Sequence, residues 1–220
     1  MATRELLTTL ADQYRRTSGR QVVTEAAGGV DVAKRIEDGE VADVVVLAAN
    51  AIDKLIARGR VLAGSRVDLV RSGVWVAVRT GSPKPDISTD AAVKRAVLAA
   101  RTLSYSTGPS GVYLEKLFER WGILEAIRAR IVVPRPGIPV GSLVATGEAE
   151  LGFQQLSELM SLPGIEVVGP LPPSIQTVTT FSGGLVSSSD DPQAARTLLE
   201  YLASAETAII KQRHGMEAAG

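Results

Sequence analysis

Cysteine is absent from this 220-residue chain and histidine occurs once. Without cysteine there is no disulfide framework, no thiolate metal site and no cysteine nucleophile. The lone His214 lies close to the C-terminus. One histidine excludes a His-rich metal centre and argues against a Ser-His-Asp triad. Placed just before Gly215, it reads as a basic residue in the last turn of a helix, where the macrodipole favours it. Net charge is missing as well: 24 Lys and Arg balance 24 Asp and Glu. A neutral balance argues against nucleic acid as a partner, because such a partner asks for a basic face. No apolar run approaches the length that crosses a bilayer, so no membrane insertion is expected. No signal-peptide core is visible, which reads as cytoplasmic for the sequence as written and periplasmic if a signal lies upstream of a truncated start. No cofactor or metal is expected.

What the chain does contain is a regular alternation of apolar runs and small-residue turns. Residues 3–18 repeat apolar positions at helical spacing through Leu6, Leu10 and Tyr14, with Thr3 placed to cap. Gln21 to Glu25 reads as a strand. Ala26–Gly29 is a small-residue turn before a helix at 31–38. Asp43–Leu47 is a continuous apolar run of the kind buried in a parallel sheet. Asn50 is placed to cap the helix that carries Ile52, Leu55 and Ile56. Residues 72–79 alternate as a strand, and the Pro-rich loop that follows reads as the entry into a second lobe. Gln176–Val186 reads as a long return strand, and Asp191–Pro192 as a helix start, with Ile209 and Ile210 expected to be buried further on. The pattern is α/β, expected as two lobes of mixed, mostly parallel sheet flanked by helices. Residues 1–79 with 176–220 form the first lobe and 80–175 the second.

The stretch Ser104–Trp121 gives a strand, a Gly/Ser/Thr turn and an amphipathic helix whose apolar face is Leu114, Leu117, Phe118 and Trp121. Ser110 is a suitable N-cap. Gly108 and Gly111 let the backbone approach its neighbours closely. Free N–H groups and hydroxyls at a helix start favour anions, although a capped turn without ligand has the same sequence. Ligands of parallel α/β sheets bind beyond the carboxyl ends of the strands. Four loops fit that position: 26–30, 105–111, 137–142 and 154–157. They bring Gly28, Gly29, Ser106, Thr107, Ser110, Gly111, Val140, Gln154 and Gln155 into consideration, with Thr3, Arg4 and Arg135 as further candidates. Gln154 and Gln155 read equally well as a solvated strand end, and Arg4 as a surface arginine.

The segments Ala33–Asp43, Val61–Leu69, Tyr105–Gly111, Gly147–Gly152, Gln154–Glu158 and Gly169–Pro172 together resemble the type II periplasmic solute-binding proteins, in the molybdate-binding-protein-like branch of ABC transporter substrate-binding proteins. The resemblance runs through essentially the whole chain. It implies a cleft between two lobes that closes on a small anion, an ABC permease as partner and a monomer. By position it assigns Gly28 and Gly29 to the first-lobe loop, Ser110 to the second-lobe helix start, Val140 to the third loop and Gln155 to the fourth. The family's usual tyrosine is replaced by Gln155, and its first-lobe serine is missing. These departures leave room for a larger carboxylate. The same broad family includes an aconitate isomerase, similar in fold, which moves a double bond in a tricarboxylate.

Two functions follow as expectations. The first is binding of an oxyanion or a di- or tricarboxylate by backbone N–H, hydroxyl and amide groups. The second is isomerisation of an unsaturated tricarboxylate, which needs a general base. No catalytic residue stands out; Glu158 is the nearest carboxylate to the amide pair. The family's lobe begins with a strand that precedes the first helix, so a segment upstream of Met1 is expected.

Overall fold

In the computed structural model, residues 1–135 and 137–219 are described. Pro136, which precedes the 137–142 loop in sequence, lies outside them. The chain order is α1 (Arg4–Ser18), α2 (Gly29–Glu37), β1 (Val44–Ala48), α3 (Ala49–Ala57), β2 (Val67–Arg79), α4 (Asp90–Ala99), β3 (Leu103–Tyr105), α5 (Pro109–Arg120), α6 (Leu124–Ile127), α7 (Val140–Thr146), β4 (Leu151–Gln155), α8 (Leu156–Leu159), β5 (Ile165–Pro170), β6 (Val178–Leu185), α9 (Pro192–Ala203), α10 (Ala208–Arg213) and β7 (Glu217–Ala218). Two compact units result, Met1–Ser72 with Thr179–Gly220 and Gly73–Val178. Among the described residues, no helix is long and apolar enough to cross a membrane.

In the first unit, β1 pairs antiparallel with β6, from Val44 opposite Leu185 to Ala48 opposite Phe181. β6 in turn lies beside β2, and β7 pairs with β2 at Val70 and Arg71. Helices cover both faces, and two glycines make this possible. A Cβ on Gly183 would lie 2.4 Å from Leu199 of α9, and one on Gly184 would lie 2.7 Å from Val61. Successive strand residues face opposite sides, so each glycine admits close packing on one face. On one side α1 buries Leu6 and Leu10 with Leu69, Val70, Leu202 and Met216. Another cluster joins Ile36, Val45, Leu47, Ile52, Leu55 and Val61.

Several local expectations change here. Gln21–Glu25 forms no strand. A strand needs a neighbour for its N–H and C=O groups, and β1 pairs with β6 and no other strand among the described residues. Val23 accordingly stands 87% exposed. Thr3 occupies the N-cap of α1 without a side-chain bond, and Ala48, not Asn50, precedes α3. Asp191 does cap α9, accepting from Ala194 N–H at 2.9 Å. In α10 the buried face carries Lys211 while Ile209 is exposed. Burial pushes the Lys211 ammonium pKa down.

In the second unit β4 lies between β2 and β3. It is antiparallel to β2 and parallel to β3, while β5 pairs antiparallel with β2. Antiparallel pairing is therefore more extensive than the expected mostly parallel arrangement, because the long β2 receives β4, β5 and β7 from the opposite direction. The core brings Val76, Val97, Leu103, Leu114, Leu117, Phe118 and Phe153 together. Thr89 caps α4 by accepting from Ala92 N–H at 3.1 Å. Gln176 is not in a strand; its amide accepts from Val74 N–H at 2.8 Å and donates to Val74 O at 3.1 Å, as a neighbouring backbone would.

One polar contact ties β6 to β2 in the first unit. The fully buried Ser182 donates to Asp68 at 2.6 Å. That bond first, and Arg66 second, hold the Asp68 carboxyl below its usual pKa. A depressed carboxylate contributes stability above its unfolded pKa and loses it as pH falls through the folded one. Ser182→Ala is therefore expected to cost about 1 kcal/mol at pH 7, since Asp68 is partly solvated. The deficit should shrink as the pH approaches ~3, as read by urea denaturation at each pH.

Candidate functional site

The parallel register of β3 and β4 sets Tyr105 opposite Phe153. Both strands end in the same direction, so Ser106–Thr107 and Gln154–Gln155 emerge from neighbouring strands at one sheet end. That is where open α/β sheets place ligands. The chain after β3 turns through Gly108, the N-cap of α5, which makes no side-chain cap bond. Ser110 is thus not the cap but lies inside the first turn, 2% exposed, with its hydroxyl 2.9 Å from that of Ser106. Its backbone N–H, at the second helical position, has no intrahelical acceptor. Gly111 makes the turn possible: a Cβ there would sit 1.5 Å from the Ser106 carbonyl oxygen. Thr107 is exposed.

The two amides are buried rather than solvated, Gln154 to 3% and Gln155 to 4% exposure. The Gln154 Oε1 accepts from Gly141 N–H at 3.4 Å, which leaves its NH₂ group as the free donor. Close by is Glu158 in α8. Burial raises the Glu158 carboxyl pKa. Gln155 lies opposite Val74 of β2. Ser157 Oγ is also buried without a partner. Val140, first residue of α7, is fully buried and lies 3.1 Å from where a Cβ on Gly152 would be. Arg135 is exposed.

The remaining candidates belong to the first unit. Gly28 is the N-cap of α2 and Gly29 its first residue. A Cβ on Gly28 would meet the Asp31 carboxylate at 2.9 Å, so an acidic side chain of the same helix sits over this turn. Met1 donates to Ala27 O at 3.3 Å, which brings the start of α1 to the same loop. Thr3 there is buried, and Arg4 is exposed with Glu5 at 3.8 Å. Sequence reasoning did not single out Gly141, whose N–H orients Gln154, or Ser157. The 137–142 loop contained the first and the 154–157 loop the second, without either residue being named.

Two α/β units built from a discontinuous chain, with small polar groups gathered at strand ends, define the solute-binding class of fold. The chain belongs to the bacterial extracellular solute-binding protein family, which matches residues 1–217. It is 43% identical to an aconitate isomerase of Pseudomonas sp., over 94% of this chain and 81% of the relative. It is 26% identical to the molybdate-binding protein ModA of Azotobacter vinelandii, over 94% of this chain and 82% of the relative. In structure it is similar to the periplasmic molybdate-binding protein of Azotobacter vinelandii, with a TM-score of 0.80 at 21% identity, covering 98% of this chain and 95% of the other.

Gly111→Ala drives a methyl group into the Ser106 carbonyl, so the loop must move. The expected cost is about 3 kcal/mol or more. Gly108→Ala, where a Cβ meets nothing closer than Ser106 Oγ at 3.8 Å, is expected to change stability by less than about 0.5 kcal/mol. Thermal denaturation of the two variants side by side checks the contrast.

Proposed function

We propose that the protein binds a small carboxylate anion through neutral donors at the carboxyl ends of β3 and β4, acting as the solute-binding component for an ABC permease. The observation that carries this reading is the pair of buried glutamines at the end of β4, Gln154 at 3% and Gln155 at 4% exposure. A bound carboxylate is a fitting acceptor for amide NH₂ groups in such a place. The Ser106–Ser110 hydroxyl pair and the Ser110 N–H add donors at the same sheet end. Charge-assisted bonds of this kind are roughly twice as strong as neutral ones. A carboxylate is favoured over an inorganic oxyanion by the 43% identity to a relative named for aconitate, against 26% to one named for molybdate.

A second reading is supported by Glu158, a partly buried carboxyl whose pKa burial raises. An enzyme that shifts a proton along an unsaturated carboxylate needs a general base. The identity to an aconitate isomerase supports the same reading.

A ligand that binds only the folded protein raises its thermal midpoint by mass action. Aconitate and related tricarboxylates are expected to raise it, while molybdate and sulfate leave it unchanged. Calorimetry on Gln155→Ala should show a Kd weaker by roughly 10- to 100-fold, the loss of one hydrogen bond to a charged group. A shift with molybdate alone overturns the carboxylate reading.

A further inference from the structure

We infer that Gln176 is a positioning residue of the proposed anion site: its side-chain amide clasps Val74 of β2 and thereby sets Gln155 in place beside α5. The inference rests on the carboxylate-binding reading of that site. It starts where β2 runs out of strand neighbours on one edge. β5 pairs with it as far as Trp75 opposite Pro170 and ends there. Val74 is one residue further, and the Gln176 amide takes the place of the next strand residue. Its Oε1 accepts from Val74 N–H at 2.8 Å, and its Nε2 donates to Val74 O at 3.1 Å. The same amide accepts from Thr177 N–H at 3.0 Å and donates to Leu171 O at 3.3 Å. The turn that carries it is fixed independently. Leu171 N–H donates to Val74 O, and Ile175 N–H to Pro172 O, each at 3.0 Å. Leu171 and Ile175 are buried in the core of the second unit, and Pro172 and Pro173 hold their own φ angles.

Val74 matters because it stands opposite Gln155 of β4. Its N–H and C=O are taken by Gln176 and Leu171, so it and Gln155 form a pair without mutual hydrogen bonds. In antiparallel sheets such pairs are the closer kind, with Cα atoms about 4.5 Å apart and side chains in contact range. Alternation along the strand settles the face. Phe153, two residues before Gln155, packs with Val74 and Val76 in the core that holds Leu114 and Phe118 of α5. Gln155 therefore stands on the α5 side of the sheet, whereas Gln154 stands on the other, where Gly141 of α7 holds it. The turn at 171–177 meets α5 as well. The Tyr113 hydroxyl donates to Ile175 O at 3.0 Å, and Tyr113 lies three residues from Ser110, about one helical turn. One short turn is thus bonded to the strand residue opposite Gln155 and to the helix whose start carries the Ser110 hydroxyl.

The fit is close. A Cβ on Gly73, the residue before Val74, would lie 3.0 Å from the amide carbon of Gln176. Gly73 opens the second unit and Gln176 lies two residues before its end at Val178, so the amide also joins the two ends of the chain segment that builds the unit. Gln176 acts through Val74 and Gln155 rather than on the anion. What it supplies is relative placement. Hydrogen bonds from neutral donors weaken steeply once distance or angle departs from the optimum, so a bound carboxylate gains from the Gln155 amide and the α5 hydroxyls together only while the two are held in register.

The test uses the whole protein, with calorimetry for aconitate binding and NMR of the glutamine NH₂ groups, on wild type, Gln176→Ala, Gln155→Ala and the double variant. Folded Gln176→Ala is expected to bind aconitate with a Kd weaker by roughly 10-fold, the scale on which a small misplacement of a contacting group acts. In the Gln155→Ala background the same change should alter Kd by less than about twofold, because its effect travels through the amide already removed. Without ligand, Gln176→Ala should move the Gln155 NH₂ resonances and leave those of Gln154 in place. Gly73→Ala, which only pushes on the Gln176 side chain, is expected to give the same pattern more weakly and replaces Gln176→Ala if that variant does not fold. A folded Gln176→Ala with the wild-type Kd overturns the inference and leaves the carboxylate reading standing. So do Gln155 resonances that stay in place, and so do losses that multiply in the double variant. Wild type that binds no aconitate overturns the carboxylate reading and this inference together.

Discussion

A missing side chain governs the candidate site. At Gly111 the backbone of α5 presses against the Ser106 carbonyl so closely that a methyl group would overlap it, at 1.5 Å. That contact fixes how the chain leaves β3, and it stacks the Ser106 and Ser110 hydroxyls within 2.9 Å. The parallel register with β4 then sets this turn beside the two glutamines. Remove the constraint at Gly111 and the hydroxyls lose their relation to the amides, although every polar residue is still present. The donor geometry is therefore a packing result before it is an electrostatic one.

The electrostatics of the site are those of neutral donors. No arginine or lysine is needed to hold an anion there, because hydroxyls, amides and N–H groups in a poorly solvated place interact strongly with charge. A fixed cation would bring its own desolvation cost.

Periodicity made the larger elements legible. The helical spacing of Leu6, Leu10 and Tyr14 and the alternation of Val74, Val76 and Val78 correspond to what forms. What failed did so for tertiary reasons. Gln21–Glu25 has strand composition, but composition supplies no partner for its backbone. Ser110 and Asn50 are good caps in isolation, yet Gly108 and Ala48 take those positions because the incoming chain direction decides where a helix begins. The donor residues of the second unit were visible as small and amide residues after strands. The burial of both glutamines, and the tie between Gln154 and Gly141, depend on α7 packing against β4. Contacts of that kind between distant elements leave no periodic trace.

The unpaired flank of β1 bears on how the molecule loses structure. Val44, Val46 and Ala48 are only half covered, and the backbone groups on that flank meet no other described strand. Amide protons there have solvent as their alternative partner and should exchange far sooner than those of β4, which is enclosed by strands on both sides. The stability of the first unit is thus graded from one side of its sheet to the other, and unfolding that begins at β1 would leave the hydroxyls and amides of the second unit in place.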